Sequence, residues 1–336
     1  MKLSLVKWGK WGKWGKWVKW GILAIVIISV ILILCIGQPS QALLGVYDPS
    51  QTFSPKNIQS VTVTLEHQFV TWRLDNANEL VQALKQAQDN RRIAMISLES
   101  WPWNWNGMTD ATLLQDIVAG RYDATIDRCF KTIQTDSPQS VLLRWGHEME
   151  IIGQYPWSVA DSKAYIAAYR YLFDRAKQLG VNNILWVWSP AGNTNAVNYW
   201  PGDDVVDVVG ISIYATPEWH PDGAQTLPSF ARLMQQKAQA FTPWHKPVLI
   251  AEVGVNARPQ QQQEWLTQAI RDLPQFPQVL GWVYFNQIQP NIVPLAIDRP
   301  NWSLNPDSAH RLVQLWPQIY PELSPAEKLD KLLSRS

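Results

Sequence analysis

The sequence predicts an α/β fold on a parallel sheet, a closed eight-stranded barrel in preference to an open doubly wound sheet, behind an apolar amino-terminal helix. Three observations predict it. Eight short β-type runs alternate with one-sided helical segments, which means a parallel sheet with helical cover. None of the runs is followed by a glycine-rich phosphate turn, neither G-x-G-x-x-G nor G-x-x-x-x-G-K-[ST], as open nucleotide-binding sheets usually show. About 290 residues follow the amino-terminal segment, close to the roughly 250 of a single barrel.

Residues 1–20 form a basic tail, a Lys-Trp-Gly repeat carrying Lys2, Lys7, Lys10, Lys13, Lys16 and Lys19 with Trp8, Trp11, Trp14, Trp17 and Trp20. A tryptophan every third residue drifts around a helix and makes no single stripe. Two readings stand: an interfacial anchor with indoles at headgroup level and lysines on anionic phosphates, or a low-complexity extension. Residues 21–37 carry no charge, and as a helix at ~1.5 Å per residue they span about 25 Å, enough to cross a bilayer. The lysines before them stay cytoplasmic and send the rest across the membrane. Residues 38–42 are a linker in which Ser40-Gln41-Ala42 offers a signal-peptidase site. The body is therefore expected to be membrane-anchored and extracytoplasmic, or secreted if cleaved after Ala42.

The formal net charge of +1 averages two unlike segments: residues 1–47 hold six lysines and no acid, leaving 23 bases against 28 acids in the remainder. An acidic body with no basic run lacks the footprint of a nucleic-acid binder. Cys35 inside the apolar run and Cys129 alone in the body argue against a disulfide framework and a cysteine zinc site. The five histidines show no H-x-x-x-H or other metal spacing. No metal or cofactor is expected.

The expected strands run from Leu43 to Tyr47, Val61 to Leu65, Ile93 to Leu98, Ser140 to Trp145, Asn183 to Trp188, Val205 to Ile213, Pro247 to Glu252 and Val279 to Phe285. Between them the pattern predicts helices over residues 76–88, 110–135 with a break near Gly120, 161–179, 226–241, 260–273 and 306–316. The clearest places Tyr165, Ala168, Tyr169, Leu172, Phe173, Ala176 and Leu179 on one face, with Asp161 as cap and Gly180 as stop.

In a parallel barrel, reacting groups stand at the carboxyl ends of strands. Glu66, Glu99, Glu148 and Glu252 all follow or close apolar runs, as do His147 and Tyr214. Paired carboxylates at one barrel end suit glycoside hydrolysis, where one protonates the leaving oxygen and the other attacks or activates water. Composition does not choose among the four, and any of them can instead cap a helix. Tryptophan is the second signal. Trp101, Trp103 and Trp105 alternate after the third strand, and Trp157, Trp188, Trp219 and Trp282 fall at or after strand ends, where indole faces could stack on sugar rings. Trp145, Trp186, Trp265 and Trp316 read as packing residues.

At Arg144-Trp145-Gly146-His147-Glu148-Met149 the chain resembles glycoside hydrolase family 26, the β-mannanase family, whose fourth strand ends in R-x-x-H-E-M. Val187-Trp188-Ser189-Pro190 with Asn193, Tyr199-Trp200-Pro201-Gly202-Asp203, Val208 to Tyr214, and Lys246-Pro247-Val248-Leu249-Ile250-Ala251-Glu252-Val253-Gly254 follow in the family's order. Gly45-Val46-Tyr47 resembles its first strand. The resemblance covers most of residues 43–320, with 321–336 as a tail, and implies a single (β/α)8 (TIM) barrel working by retaining double displacement.

By that resemblance Glu148 is the general acid/base and Glu252 the nucleophile. His147 lies in the subsite of cleavage, Tyr214 orients the nucleophile and Trp282 floors the sugar there. Arg144 is read as holding a carboxylate ionised, or as a structural salt bridge. Trp157 borders the leaving-group side, and Trp188, Trp101 and Trp103 complete the expected substrate-binding set. One departure stands out: the family continues H-E-M-N-G, whereas this chain has Glu150-Ile151, which opens β-1,3-1,4-glucan and β-1,3-xylan beside β-mannan. The expected protein is a monomeric endo-β-glycanase acting on polysaccharide. The alternative of another class is a silent polysaccharide-binding protein in envelope polymer assembly or export, which has no need of both Glu148 and Glu252.

Overall fold

The computed structural model describes residues 42–58, 62–73, 77–102, 112–219, 225–290 and 299–320. The expected tail, the apolar segment 21–37, Trp103 and residues 321–336 lie outside them. Among the described residues no helix is long and apolar enough to cross a membrane.

All eight expected strands form: β1 Leu43–Tyr47, β2 Val63–Thr71, β3 Ile93–Glu99, β4 Val141–Trp145, β5 Ile184–Trp188, β6 Val208–Ala215, β7 Val248–Val255 and β8 Val279–Phe285. Each pairs in parallel with its sequence neighbour, and β8 closes on β1, so the sheet is a closed barrel. A two-stranded antiparallel ribbon, Glu218–Trp219 with Gln225–Thr226, follows β6. The helices are α1 Ala77–Asp89, α2 Leu113–Val118, α3 Asp123–Asp136, α4 Ser162–Gln178, α5 Phe230–Lys237, α6 Pro259–Asp272 and α7 Pro306–Ile319. The α2–α3 break falls where Gly120 takes φ +76°, and the side chain of Asp161 caps α4 through the amides of Lys163 and Ala164.

Two connections depart from a regular barrel. The described part of the β1–β2 connection holds only turns, and β5–β6 is spanned by 3₁₀ turns at Thr194–Tyr199 and Asp203–Val205. Beside the second, Trp200 and Trp244 stack at 4.3 Å, with Trp188 edge-on to Trp200 at 5.0 Å. Indole rings thus fill the space a helix would cover.

Side chains of the strands separate into two buried layers. Leu43, Leu65, Met95, Leu142, Val187, Leu249 and Val283 fill the barrel interior. Val46, Val70, Ile96, Leu143, Trp188, Ile250 and Trp282 belong to the cluster packed with the helices. Strand parity therefore decides which residues can reach the site.

The second strand differs most from expectation. It begins two residues later and runs on to Thr71, because its polar stretch Glu66-His67-Gln68 interrupts the apolar run without interrupting the strand. Glu66 consequently lies mid-strand and turns toward the helices, where it pairs with Arg92 at 2.6 Å and accepts from Gln86 and Asn90. Its contacts are structural, and the choice among strand-end carboxyls narrows to three.

Candidate active site

Glu99, Glu148 and Glu252 meet in one pocket at the carboxyl ends of the strands, walled by Tyr47, Phe69, Tyr155, Tyr214 and Phe285. Each carboxyl arrives by a different local device. Glu99 is the last residue of β3 and continues the inward parity of Met95 and Ser97. Glu148 lies three residues beyond β4, on a turn with φ +62° at Gly146 and φ +52° at Glu148 itself. A non-glycine residue in this left-handed region costs on the order of 1–3 kcal/mol and gathers at functional sites. Its amide donates to Ser189 O at 2.8 Å, which ties the turn to the end of β5.

Glu252 depends on a β-bulge. Ile211 of β6 faces Ile250 of β7, but the next residue, Ser212, faces Glu252. Ala251 is the extra residue. Leu249 and Ala251 both belong to the interior while Ile250 packs with the helices. The inserted residue reverses the parity, so Glu252 points inward and Val253 outward, as bulges beside active sites do.

The carboxyls are set oppositely. Arg144, wholly buried, donates from Nη1 to Glu252 Oε1 at 2.6 Å and from Nε to Ser189 Oγ at 2.8 Å. The Tyr214 hydroxyl donates to Glu252 Oε2. Glu252 thus has a cation on one oxygen and a phenol on the other. Burial, and then the charge of Glu252, push Glu148 up to about 7. Its oxygens are met by Ser212 Oγ at 2.7 Å and Gln154 Nε2 at 2.8 Å. A carboxyl raised to about 7 beside a second one paired with an arginine is an arrangement suited to acid-base chemistry on a sugar.

Behind them lies a buried polar layer. His67 Nε2 is 2.8 Å from Ser97 Oγ, which also accepts from Arg144 Nη1 at 3.3 Å. Burial and the Arg144 charge hold both His67 and His147 well below the ordinary histidine range, so they are neutral. His147 Nε2 stands 4.0 Å from Glu99 Oε1. That is too long for a hydrogen bond, and with a neutral ring it is not an ion pair.

Glu150 takes no part in the pocket wall. Its Oε1 accepts from the amides of Gly192 and Asn193 at 2.9 and 3.2 Å, and Asn195 Nδ2 donates to its carbonyl at 3.1 Å. Glu150 clamps the Glu148 turn to the β5–β6 connection.

Most of the expected tryptophans lie elsewhere. Trp282 shares the outward parity of Tyr284 and packs edge-on against Phe230 and Trp316. The inward position is Phe285, three residues later, which lines the pocket. Trp188 likewise faces out, because Val187 takes the interior side. Trp157 is buried under Tyr155, which stacks on it at 4.8 Å and 5°. Its indole donates to His147 O at 2.7 Å, so it supports the Glu148 turn from behind. Trp101 stands behind the wall as well, donating to Glu99 Oε2 at 2.8 Å. Sequence reasoning missed Phe69, Gln154, Tyr155 and Phe285. The alternation Leu65, His67, Phe69 would have exposed Phe69 had the second strand been carried past Leu65.

Residues 114–257 match the sequence model of Glycosyl hydrolase family 26. Endoglucanase H of Acetivibrio thermocellus is 28% identical over 249 residues, covering 69% of this chain and 26% of that protein. Beta-1,3-xylanase TXYA of a Vibrio species is 32% identical over 126 residues, 35% of this chain and 26% of that protein. This chain spans about a quarter of the length of either relative. A modular endo-β-1,4-mannanase of family 26 from Cellulomonas fimi has the same fold, with a TM-score of 0.59 at 15% identity over 86% of this chain and 73% of that one. The matched segment begins in α2 and ends just beyond β7, so the similarity to glycosyl hydrolase family 26 takes in both the Glu148 turn and the Glu252 bulge.

Proposed function

We propose that the barrel is a retaining endo-β-glycanase, acting first on β-1,4-mannan-type chains. The observation that carries this reading is the opposed setting of two carboxyls in one pocket: Glu148 held protonated to about 7, and Glu252 held by Arg144 and Tyr214. In the first step Glu148 protonates the glycosidic oxygen while Glu252 attacks the anomeric carbon, giving a glycosyl-enzyme and a freed chain end. Glu148 then takes a proton from water as it displaces Glu252, which restores both groups. The aromatic wall suits the apolar faces of a sugar ring, and the Arg144–Glu252 pairing leaves no net charge to repel or require.

The substrate reading is open to direct test. Purified protein should release reducing sugar from mannan or galactomannan with retained anomeric configuration, followed by NMR. Lichenan and β-1,3-xylan are the competing substrates, in keeping with the endoglucanase and β-1,3-xylanase among the relatives. Activity on either alone overturns the mannan assignment, and inverted product overturns the double displacement. We propose further that residues 21–37 hold the body on the outer side of a membrane. Fractionation that finds the whole protein in the soluble exported pool would instead show cleavage.

A positioning contact supplies a second test. A Cβ at Gly254 would lie 2.7 Å from two ring carbons of Tyr214 and 3.0 Å from Trp302, which packs on Tyr214 at 4.5 Å. With Trp302 behind it the ring can yield only toward the pocket it lines, so Gly254→Ala should pull the phenol from Glu252. Turnover is expected to fall by about tenfold to 10²-fold, the scale of a misplacement near 1 Å. Tyr214→Phe should cost the same, and the double variant no more than either. Additive losses would show that Gly254 acts elsewhere.

A further inference from the structure

The contacts that fix the Glu148 turn reach well beyond Glu148. Residues 148–150 are zipped to the strap 189–193 that follows β5: the Glu148 amide donates to Ser189 O at 2.8 Å, and the amides of Gly192 and Asn193 both donate to Glu150 Oε1, at 2.9 and 3.2 Å. The strap is held a second time from the end of α5. Lys237 Nζ donates to Ala191 O at 2.6 Å, and its stem lies so near Gly192 that a Cβ there would stand 2.5 Å from Lys237 Cδ. Gly192 also takes φ +97°, where any side chain is strained. Two side chains from different parts of the chain thus grip three consecutive residues, one through amides and the other through a carbonyl. Glu150 is 3% exposed, and its Oε2 has no partner among the described residues. Burying a carboxyl with one oxygen unpaired is costly, and the strap is all that this side chain hydrogen-bonds among the described residues.

The grip matters because of where Glu148 stands. A non-glycine residue at φ +52° persists only where its surroundings over-determine it, and a shift of about 1 Å in a reacting group is enough to slow its reaction. Resting on the glycanase reading, we propose that Glu150 and Lys237 are positioning residues: by gripping residues 191–193 they lock the Glu148 turn and so aim the Glu148 carboxyl at the glycosidic oxygen. Neither residue lines the pocket, so both act through the strap. Glu252 has supports of its own in Arg144 and Tyr214. The strap therefore serves delivery of the proton and not the attack on the anomeric carbon.

The leaving group separates aim from stability. On the glycan that the wild type cleaves, Glu150→Ala should lower kcat/KM by about tenfold to 10²-fold, the scale of a misplacement near 1 Å. On an aryl glycoside of the same sugar, whose phenolate leaves without a proton, the loss should stay within about threefold. Glu150→Gln keeps an acceptor for both amides and should restore most of the rate on the glycan. Lys237→Met keeps the stem against Gly192 and removes the donor to Ala191 O. It should show the same dependence on leaving group, and it decides the matter if the alanine variant fails to fold. Equal losses on both substrates would mean that the strap acts on folding, or through Ser189 and Arg144 on Glu252, and would overturn the proposal. A glutamine variant as slow as the alanine one would overturn it too, as would wild-type rates in both Glu150→Ala and Lys237→Met. A wild-type protein that cleaves no glycan removes the hydrolytic reading alone, because crystal structures of the variants still decide the grip. It stands if the Glu148 amide parts from Ser189 O in Glu150→Ala, and it is overturned if that bond is kept.

Discussion

Glu252→Ala is expected to lower turnover by about 10⁴-fold or more on whichever glycan the wild type cleaves, the scale on which loss of a covalent nucleophile acts. The same change strips Arg144 of its counter-ion. That guanidinium is wholly buried and its Nη2 already lacks a partner among the described residues, and removing one member of a buried pair costs about 3–5 kcal/mol. A lower melting temperature should therefore accompany the lost activity. Glu252→Gln separates the two effects, because the amide oxygen still accepts from Arg144 while the anionic nucleophile is gone. It should melt nearer the wild type and turn over no faster than the alanine variant. A glutamine variant within tenfold of wild-type rate would refute the nucleophile assignment.

Glu148→Gln should cost about 10²–10⁴-fold on polysaccharide, the range of general acid-base catalysis. With an aryl glycoside whose phenolate leaves unaided, the first step should lose far less, since no proton need be delivered. The pH profile carries a sharper signature. A carboxyl raised to about 7 is protonated below that pH and ionised above it. Wild-type kcat/KM should accordingly fall as pH rises through about 7, and the glutamine variant should lack that limb. Glu99 titrates in the same region, so Glu99→Gln is the necessary comparison: its remaining activity should keep the limb. A limb that vanishes with Glu99 and persists without Glu148 would reassign the acid.

Much of this was legible in the sequence, for a physical reason. Strands of a parallel barrel are buried on both faces and read as short unbroken apolar runs, so all eight were found and two, β1 and β8, have the expected bounds. The run fails as a guide where the barrel opens to its ligand. There β2 carries His67 inward and Glu66 outward, and polarity ends the pattern before the hydrogen bonds end. Glu148 and Glu252 were legible as residues of a spaced motif. Their different settings were not, because Arg144 reaches Glu252 across the barrel from β4, Ser212 reaches Glu148 from β6, and Tyr214 reaches Glu252 from the neighbouring strand.

The sequence by itself determined the barrel class and the strand count, since burial and chain order are written in composition and spacing, whereas two of the four strand-end carboxylates were singled out only by resemblance to a family. Only the tertiary structure decided which side chains face the ligand. Trp188 and Trp282 were expected in the cleft and face outward, the first under the indoles of Trp200 and Trp244 and the second under helices, while Phe69 and Phe285 took the wall. Facing follows the two-residue pleat, and a single inserted residue reverses it. The bulge at Ala251 that turns Glu252 inward is visible only in the register between β6 and β7. That register is set by closure of the whole barrel, not by any local run of residues.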